Sequence, residues 1–310
     1  MDDVDITASS EMVRLLEKLA PEEGYTQSAL DGVRLVRSDR PLGRTLVLYE
    51  PSIVIVCQGR KRGFLGDEVY LYDAQNYLVL SVPLPFYTET EASRDTPLLA
   101  VAIRLDLTQL AELVLLIDRA GGQDAADAPL GIMSTPLQGV LAEATLRLLR
   151  ALTSPLDAHA LGPAIVREIH YRVLMGERGG ALRAALAHQG RFGRIAKALG
   201  RIHADFARPL DVGDLAREAE MSVPAFHANF RRVTRTSPIQ YIKSTRLHHA
   251  RLMMIRDGLT AAAASARVGY ESPSQFSREF KRFFGRPPAD EAREMKASFQ
   301  LSSAAGFEGF

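Results

Sequence analysis

Two short arrays in this 310-residue chain combine side chains that read base edges with side chains that hold phosphates. SVPAFHANFRRVTRTSP carries Ser222, Val223, His227, Arg231 and Arg232. SPSQFSREFKRFFG carries Ser274, Gln275, Ser277, Arg278, Lys281 and Arg282. In the major groove Arg pairs with guanine and Gln with adenine, each through two hydrogen bonds. Arg278 and Gln275 are therefore the first choices for base contacts, and His227 the next. Arg231, Arg232, Lys281 and Arg282 suit phosphates, which position a protein without reading sequence.

Such residues work only on a helix whose opposite side is anchored. Phe226, Phe230 and Val233 recur at helical spacing on the far side of the first array. Phe276 and Phe280, with Phe283 or Phe284, do the same in the second. Ser222 and Ser272 are expected N-caps, each followed by a proline in the first turn. A short helix should precede each array, capped by Asp211 in one case and Thr260 in the other. Ala219–Met221 and Gly269 then supply the turns. Pro238–Asp257 reads as one connecting helix, with Tyr241, Ile242, Leu247, Ala250 and Met254 inward. A rigid connector would let the two units enter successive major grooves, about 34 Å apart. Arg194–Phe206, with Ile195, Leu199, Ile202 and Phe206 on one face, should support the first unit.

The stretches LAREAEMSVPAFHANFRRVTRTSPIQYIKSTRLHHARLMM and VGYESPSQFSREFKRFFGRPP resemble the DNA-binding domain of the AraC/XylS family of bacterial transcription regulators. Paired units joined by the Arg246–Met253 pattern are specific to that family. Tyr49–Pro85 resembles the cupin-like N-terminal domain of one AraC-type subgroup. The resemblance implies a promoter as double-stranded DNA partner and activation through RNA polymerase; a small-molecule effector of unknown identity is expected in the N-terminal domain, and the helices beside its barrel suit either a homodimer interface or packing back on the barrel. The chain departs from the family pattern at three places. Glu220 stands where glycine is usual, so the first turn should be strained. Ala228 stands where many members carry arginine. Ala263 and Ala266 replace bulkier or charged residues.

Upstream, Thr7–Ala20 reads as a short amphipathic helix. Val33–Leu105 reads as all-β, with apolar runs beginning near 33, 45, 53, 69, 76, 86 and 98 and turn residues between most of them, Gly59–Arg62 included. Roughly seven strands at this spacing suit a sandwich or jelly-roll barrel. Helices are expected at Leu107–Asp118, Thr135–Leu152 and Leu156–Met175, with a loop at Gly121–Pro129. The expected class is therefore α+β with two domains: an N-terminal cupin-like β-barrel with helices over 1–175, and an all-α double helix-turn-helix over 191–300. The glycine-rich stretch 176–190 is the expected linker, in which ALRAALA could form a helical turn or two.

Charge divides the same way. From Gly190 onward there are 20 Lys and Arg against 12 Asp and Glu, and before it 18 against 25. Only the C-terminal part suits a polyanion. No apolar run is long enough to span a membrane, and the acidic N-terminus lacks a secretory pattern. The single cysteine, Cys57, fits a reduced cytoplasmic compartment. No histidine precedes His159, which removes the imidazole set of a metal-dependent cupin enzyme. No nucleophile triad or phosphate loop is present, so no enzyme, metal or cofactor is expected. Effector candidates in the barrel are Cys57, Arg60, Lys61, Tyr70, Tyr72 and Phe86. The basic Arg60–Arg62 run would meet an anion or be a solvated turn. Cys57 would be a thiol activated by that run or an inert small hydrophobe. The competing reading keeps the barrel as a dimerisation module without an effector.

Overall fold

The computed structural model describes residues 3–121, 129–186 and 191–298. The chain divides into two compact units. One runs to Gly190; the other begins at Arg191 and also takes in Leu46–Tyr49 and Pro83–Phe86. The expected two-domain α+β class holds.

The N-terminal unit is built on one antiparallel sheet. Its strands are β1 (Gly24–Gln27), β2 (Val33–Ser38), β3 (Leu42–Tyr49), β4 (Ser52–Gln58), β5 (Arg60–Leu65), β6 (Glu68–Asp73), β7 (Asn76–Leu80), β8 (Leu84–Glu91), β9 (Leu98–Arg104) and β10 (Ile132–Pro136). Their order is β1-β2-β9-β4-β7-β6-β5-β8-β3, with β10 paired to β7 outside that path. The sheet curls into a half-barrel. Strands β4 and β9 are buried along nearly their whole length, which accounts for their continuous apolar runs.

Three strands were not expected. Strand β5 corrects the turn placed at Gly59–Arg62: it pairs with both β6 and β8, and its register sets Arg60 opposite Asp73 and Glu91. Strand β10 corrects the expected helix start at Thr135, because Thr135 and Pro136 pair with Tyr77 and Asn76. Strand β1 is short and polar and, among the described residues, pairs with β2 at the edge of the sheet.

Helices α1 (Asp3–Leu19), α2 (Leu107–Arg119), α3 (Gly139–Ala151), α4 (Pro155–Met175) and α5 (Gly179–Leu186) complete the unit. Asp106 caps α2 by accepting from the Thr108 and Gln109 amides, and Ser154 caps α4. Leu16, Leu110, Ala144, Leu148, Leu149, Ile169 and Leu174 join sheet residues such as Ile53, Ile55 and Val101 in one core. Val140 of α3 is 46% exposed. Helix α5 buries Ala181 and Leu182 in the same core, so part of the expected linker is packed helix. Residues 187–190 of that stretch lie outside the described residues, as does most of the loop expected at Gly121–Pro129.

From Arg191 onward the second unit is built of helices among the described residues: α6 (Arg191–Asp205), α7 (Val212–Glu218), α8 (Val223–Thr234), α9 (Pro238–Arg256), α10 (Ala261–Arg267), α11 (Pro273–Phe284) and α12 (Pro288–Ser298). Ile195, Leu199 and Ile202 of α6 are buried, as the spacing requires. Helix α9 is buried over most of its surface: Tyr241, Ile242, Leu247, His248, Ala250, Arg251, Met254 and Ile255 are all buried. It is the spine on which both helix-turn-helix units are assembled, and its 19 residues span about 28 Å.

Candidate nucleic-acid interface

The four N-caps read from sequence are in place. Asp211 accepts from the Asp214 amide at 3.0 Å, Ser222 from Ala225 at 3.4 Å, Thr260 from Ala263 at 3.2 Å and Ser272 from Gln275 at 3.2 Å. Each cap fixes where its helix begins and so which residues face outward.

The anchoring sides are aromatic. Phe226 and Phe230 of α8 are fully buried, 5.5 Å apart, and Phe230 meets Tyr241 of α9 edge-on at 5.4 Å. Phe276 and Phe280 of α11 lie 5.4 Å apart and continue to Phe284 at 4.4 Å and Tyr270 at 5.3 Å. They pack with Leu247, Ala250, Met254, Ala264 and Val268. Truncating one such ring to alanine costs about 3–5 kcal/mol.

The Arg246–Met253 pattern now has a physical reason. Arg246 donates from Nε to the Phe206 carbonyl at 2.7 Å and from Nη2 to the Arg208 carbonyl at 2.8 Å. Its Nη1 reaches the Gly269 carbonyl at 3.4 Å. One guanidinium thereby ties α9 to the end of α6 and to the second turn. Leu247 and Ala250 fill the core behind it. Arg251 is buried against Glu291 of α12 at 3.6 Å and over the Phe284 ring at 4.9 Å.

The two turns differ. Gly269 has φ +81°, and a Cβ there would meet the Ala207 carbonyl oxygen at 2.2 Å. Glycine is required on both counts. Glu220, the equivalent in the first turn, holds φ 50° with a side chain, the strain read from sequence. Arg194 braces it by donating to the Glu220 carbonyl at 3.2 Å and pairing with its carboxylate at 3.0 Å. Helix α8 likewise ends on Arg235 at φ 57°, where α11 ends on Gly285.

Outward on α8 stand Ser222, Val223, Ala228, Arg231 and Arg232, all exposed, with His227 half-buried. Asn229 is turned back onto its own helix, donating to the Ala225 carbonyl at 2.8 Å. Outward on α11 stand Ser274, Gln275, Arg278, Lys281 and Arg282, with Ser277 half-buried. Among the described residues no side-chain hydrogen bond or ion pair holds Arg231, Arg232, Arg278, Lys281 or Arg282. Two further residues, Glu279 and Lys243, sit beneath this surface: Lys243 Nζ lies 2.8 Å from Glu279 Oε1. Sequence reasoning missed them. The only signal was one acidic residue in a basic helix, four positions after Gln275.

The barrel candidates do not form one cluster. Arg60 is exposed and pairs with Asp73 at 3.5 Å and Glu91 at 3.7 Å, while Arg62 pairs with Glu89 at 3.3 Å and Glu91 at 2.9 Å. Their charges are spent along the strand. Lys61, between them, points to the other face and is buried opposite Tyr72 and Thr90, which are buried too. Burial lowers its amine pKa. Tyr70 is half-buried. Phe86 is buried and meets Tyr49 edge-on at 5.1 Å. Cys57 is free and buried, and burial pushes its thiol up to about 12, which favours the protonated form. Among the described residues no group of His, Cys, Asp and Glu is arranged to hold a metal ion.

Two helix-turn-helix units on a shared helix, carried on one chain with an antiparallel half-barrel domain, define the class. Residues 29–181 match the family described as AraC-type transcriptional regulator N-terminus, and residues 215–294 match a helix-turn-helix domain family. The chain belongs to the AraC family of transcription regulators. It is similar to the Msm operon regulatory protein of Streptococcus mutans, 28% identical over 95 residues, which is 31% of this chain and 34% of that protein. Matches of this kind span about a third of the length of the curated relatives. Over nearly the whole chain the fold is similar to ToxT of Vibrio cholerae. An apo form gives a TM-score of 0.56 at 11% identity, covering 88% of this chain and 99% of that one. An unsaturated fatty acid-bound form gives 0.54 at 11% identity, covering 92% and 99%.

Proposed function

We propose that this protein is a one-component transcription regulator. Its C-terminal unit binds promoter DNA in a sequence-specific way, and its N-terminal unit dimerises and takes a small-molecule effector. The observation that carries the reading is the surface of α11. A helix docked by Phe276 and Phe280 presents Gln275 and Arg278 near its start and Lys281 and Arg282 in its last turn. That is the division of labour a major-groove helix needs. The first unit offers the same layout with Ser222, Val223, His227, Arg231 and Arg232, thinner in base-reading groups.

The division into domains is read at 1–186 and 191 onward, because α5 belongs to the first core. Exposed Leu115 and Leu116 on α2 and Leu156 and Leu161 on α4 supply apolar surface for a homodimer. Family membership supports activation through RNA polymerase in the cytoplasm, with no catalytic role and no cofactor. No helix among the described residues is long and apolar enough to cross a membrane. The fatty acid bound by ToxT supports an effector in the N-terminal unit, with Lys61, Tyr70 and Tyr72 as candidate contacts beside Cys57, Arg60 and Phe86. A second reading has its own support: Cys57, Tyr72 and Phe86 are 0–4% exposed and pack as core, which suits a barrel without an effector. A thermal-shift screen separates the two, since a ligand at a hundredfold excess over its Kd adds about 2.7 kcal/mol.

The test of the main reading is selection of bound duplexes from a random library by the full chain. The expected product is a motif with two half-sites about one helical turn apart. Steeper base preferences are expected in the half-site read by α11. Recovery of no preferred sequence overturns the reading.

A further inference from the structure

Gln275 is exposed at the start of α11, yet its amide is not left to rotate. Its Nε2 lies 3.3 Å from Oε1 of Glu279, one turn further along the same helix. The same oxygen receives Lys243 Nζ at 2.8 Å from α9, and Oε2 receives the Tyr270 hydroxyl at 2.8 Å from the second turn. Lys243 lies 36 residues away in sequence, so only the fold assembles this group.

The chemistry fixes the direction of each bond. An ionised carboxylate only accepts. Burial works to raise the Glu279 carboxyl, but hydrogen bonds from Lys243, Tyr270 and Gln275, with the charge of Lys243, outweigh it and the net shift is downward. Its side chain is 12% exposed against 33% for Lys243. Glu279 therefore stays ionised and held from two sides. The Gln275 group that faces it must be the NH2, which turns the Gln275 Oε1 outward and leaves the second amide hydrogen available beside it. One acceptor and one donor side by side match the N6–H and N7 of adenine in the major groove.

We propose that Glu279 is a positioning residue for base reading: it holds the Gln275 amide in the rotation that recognises an A·T pair, while Lys243 and Tyr270 hold Glu279. This rests on the DNA-binding reading above and names the residue that sets its selectivity at one base pair. Tying α9 to α11 needs only the Lys243–Glu279 pair, and tying the second turn to α11 only the Tyr270 bond. The bond to Gln275 serves the surface.

The experiment measures binding of the full chain to its selected operator and to every single base-pair change, with Gln275→Ala, Glu279→Ala, Glu279→Gln and the double variant Gln275→Ala/Glu279→Ala. Gln275→Ala should abolish a preference of about fivefold to a hundredfold at one A·T pair. Glu279→Ala should lower the preference at that same pair by about threefold or more and leave the other pairs alone. Glu279→Gln keeps an acceptor oxygen and should keep the preference. In the Gln275→Ala background, removing Glu279 should change nothing at that pair, since a double-mutant cycle isolates the coupling. Should Glu279→Ala fail to fold, Lys243→Met with Glu279→Leu removes both charges, leaves neither buried alone, and should give the same selective loss.

Equal weakening at every base pair would make Glu279 a structural residue and overturn the proposal. So would an unchanged preference at the Gln275 pair in Glu279→Ala, with the DNA-binding reading intact. Failure of Gln275→Ala to relax any single pair would overturn it as well. A wild-type chain that selects no sequence would remove the reading and the proposal together.

Discussion

At the scale of single residues, the proposed DNA-binding reading sorts the outward side of α11 into two kinds of contact. Arg278 follows Gln275 by three positions and both are exposed, whereas Lys281 and Arg282 occupy the last turn. Arg278→Ala should relax specificity at one base pair and cost about 1–3 kcal/mol there, while Lys281→Ala should weaken all sequences alike and lower the salt dependence. Binding curves on cognate and scrambled duplexes at several salt concentrations check this. Parallel losses from both variants on every duplex would refute the assignment. These exposed residues were legible because spacing alone decides which side of a helix they occupy. Glu279 and Lys243 were not, because their partnership crosses from one helix to another. Asn229 was likewise hidden: the bond from its amide to the Ala225 carbonyl of its own helix depends on a side-chain rotation that spacing does not give.

At the scale of elements, the helices and caps of the C-terminal unit were legible nearly to the residue. Asp211, Ser222, Thr260 and Ser272 cap as read, since capping is local chemistry. Seven strands were legible as apolar runs. Strand β5 was not, because Arg60 and Arg62 look like a solvated turn until Asp73, Glu89 and Glu91 are brought alongside. Strand β10 was hidden because Ile132–Pro136 is short, ends in proline and pairs with β7 over a separation of more than fifty residues. The first turn offers a test of local strain. Glu220 carries φ 50° with a Cβ, and a non-glycine residue there costs about 1–2 kcal/mol. Glu220→Gly relieves that cost and keeps the carbonyl that Arg194 uses. The lost carboxylate contact to Arg194 is exposed and contributes little. The variant should melt about 4–8 °C higher per 1 kcal/mol in a unit of roughly 100 residues. An unchanged or lower Tm would show that the carboxylate, not the backbone, governs this turn.

At the scale of the whole molecule, charge and histidine burial set the conditions under which the fold survives. His203 donates to or accepts from the Tyr241 hydroxyl at 2.7 Å, His249 stacks on Phe206 at 4.0 Å, and His248 is buried beside them. Burial pushes His203 and His249 down to about 4, and the neighbouring His249 adds to the effect on His203. Burial, with the charge of Arg251, also holds His248 well below the ordinary imidazole range. In the N-terminal unit His170 contacts Gln109 at 2.7 Å, and burial lowers it to about 4 as well. Unfolded histidine takes up a proton near pH 6.5. Each of these groups is therefore neutral in the folded chain and protonated in the unfolded chain between about 6.5 and 4. Their contribution is complete above pH 6.5 and is lost as pH falls through that window, at up to about 1.4 kcal/mol per pH unit for each group. Carboxylates held low by arginine, such as Glu168, are lost only at lower pH. The interval from pH 7 to 5 thus isolates the histidines. Melting followed by far-UV circular dichroism should show Tm falling steeply across that interval, and a flat profile would mean that solvent reaches these rings in the folded state.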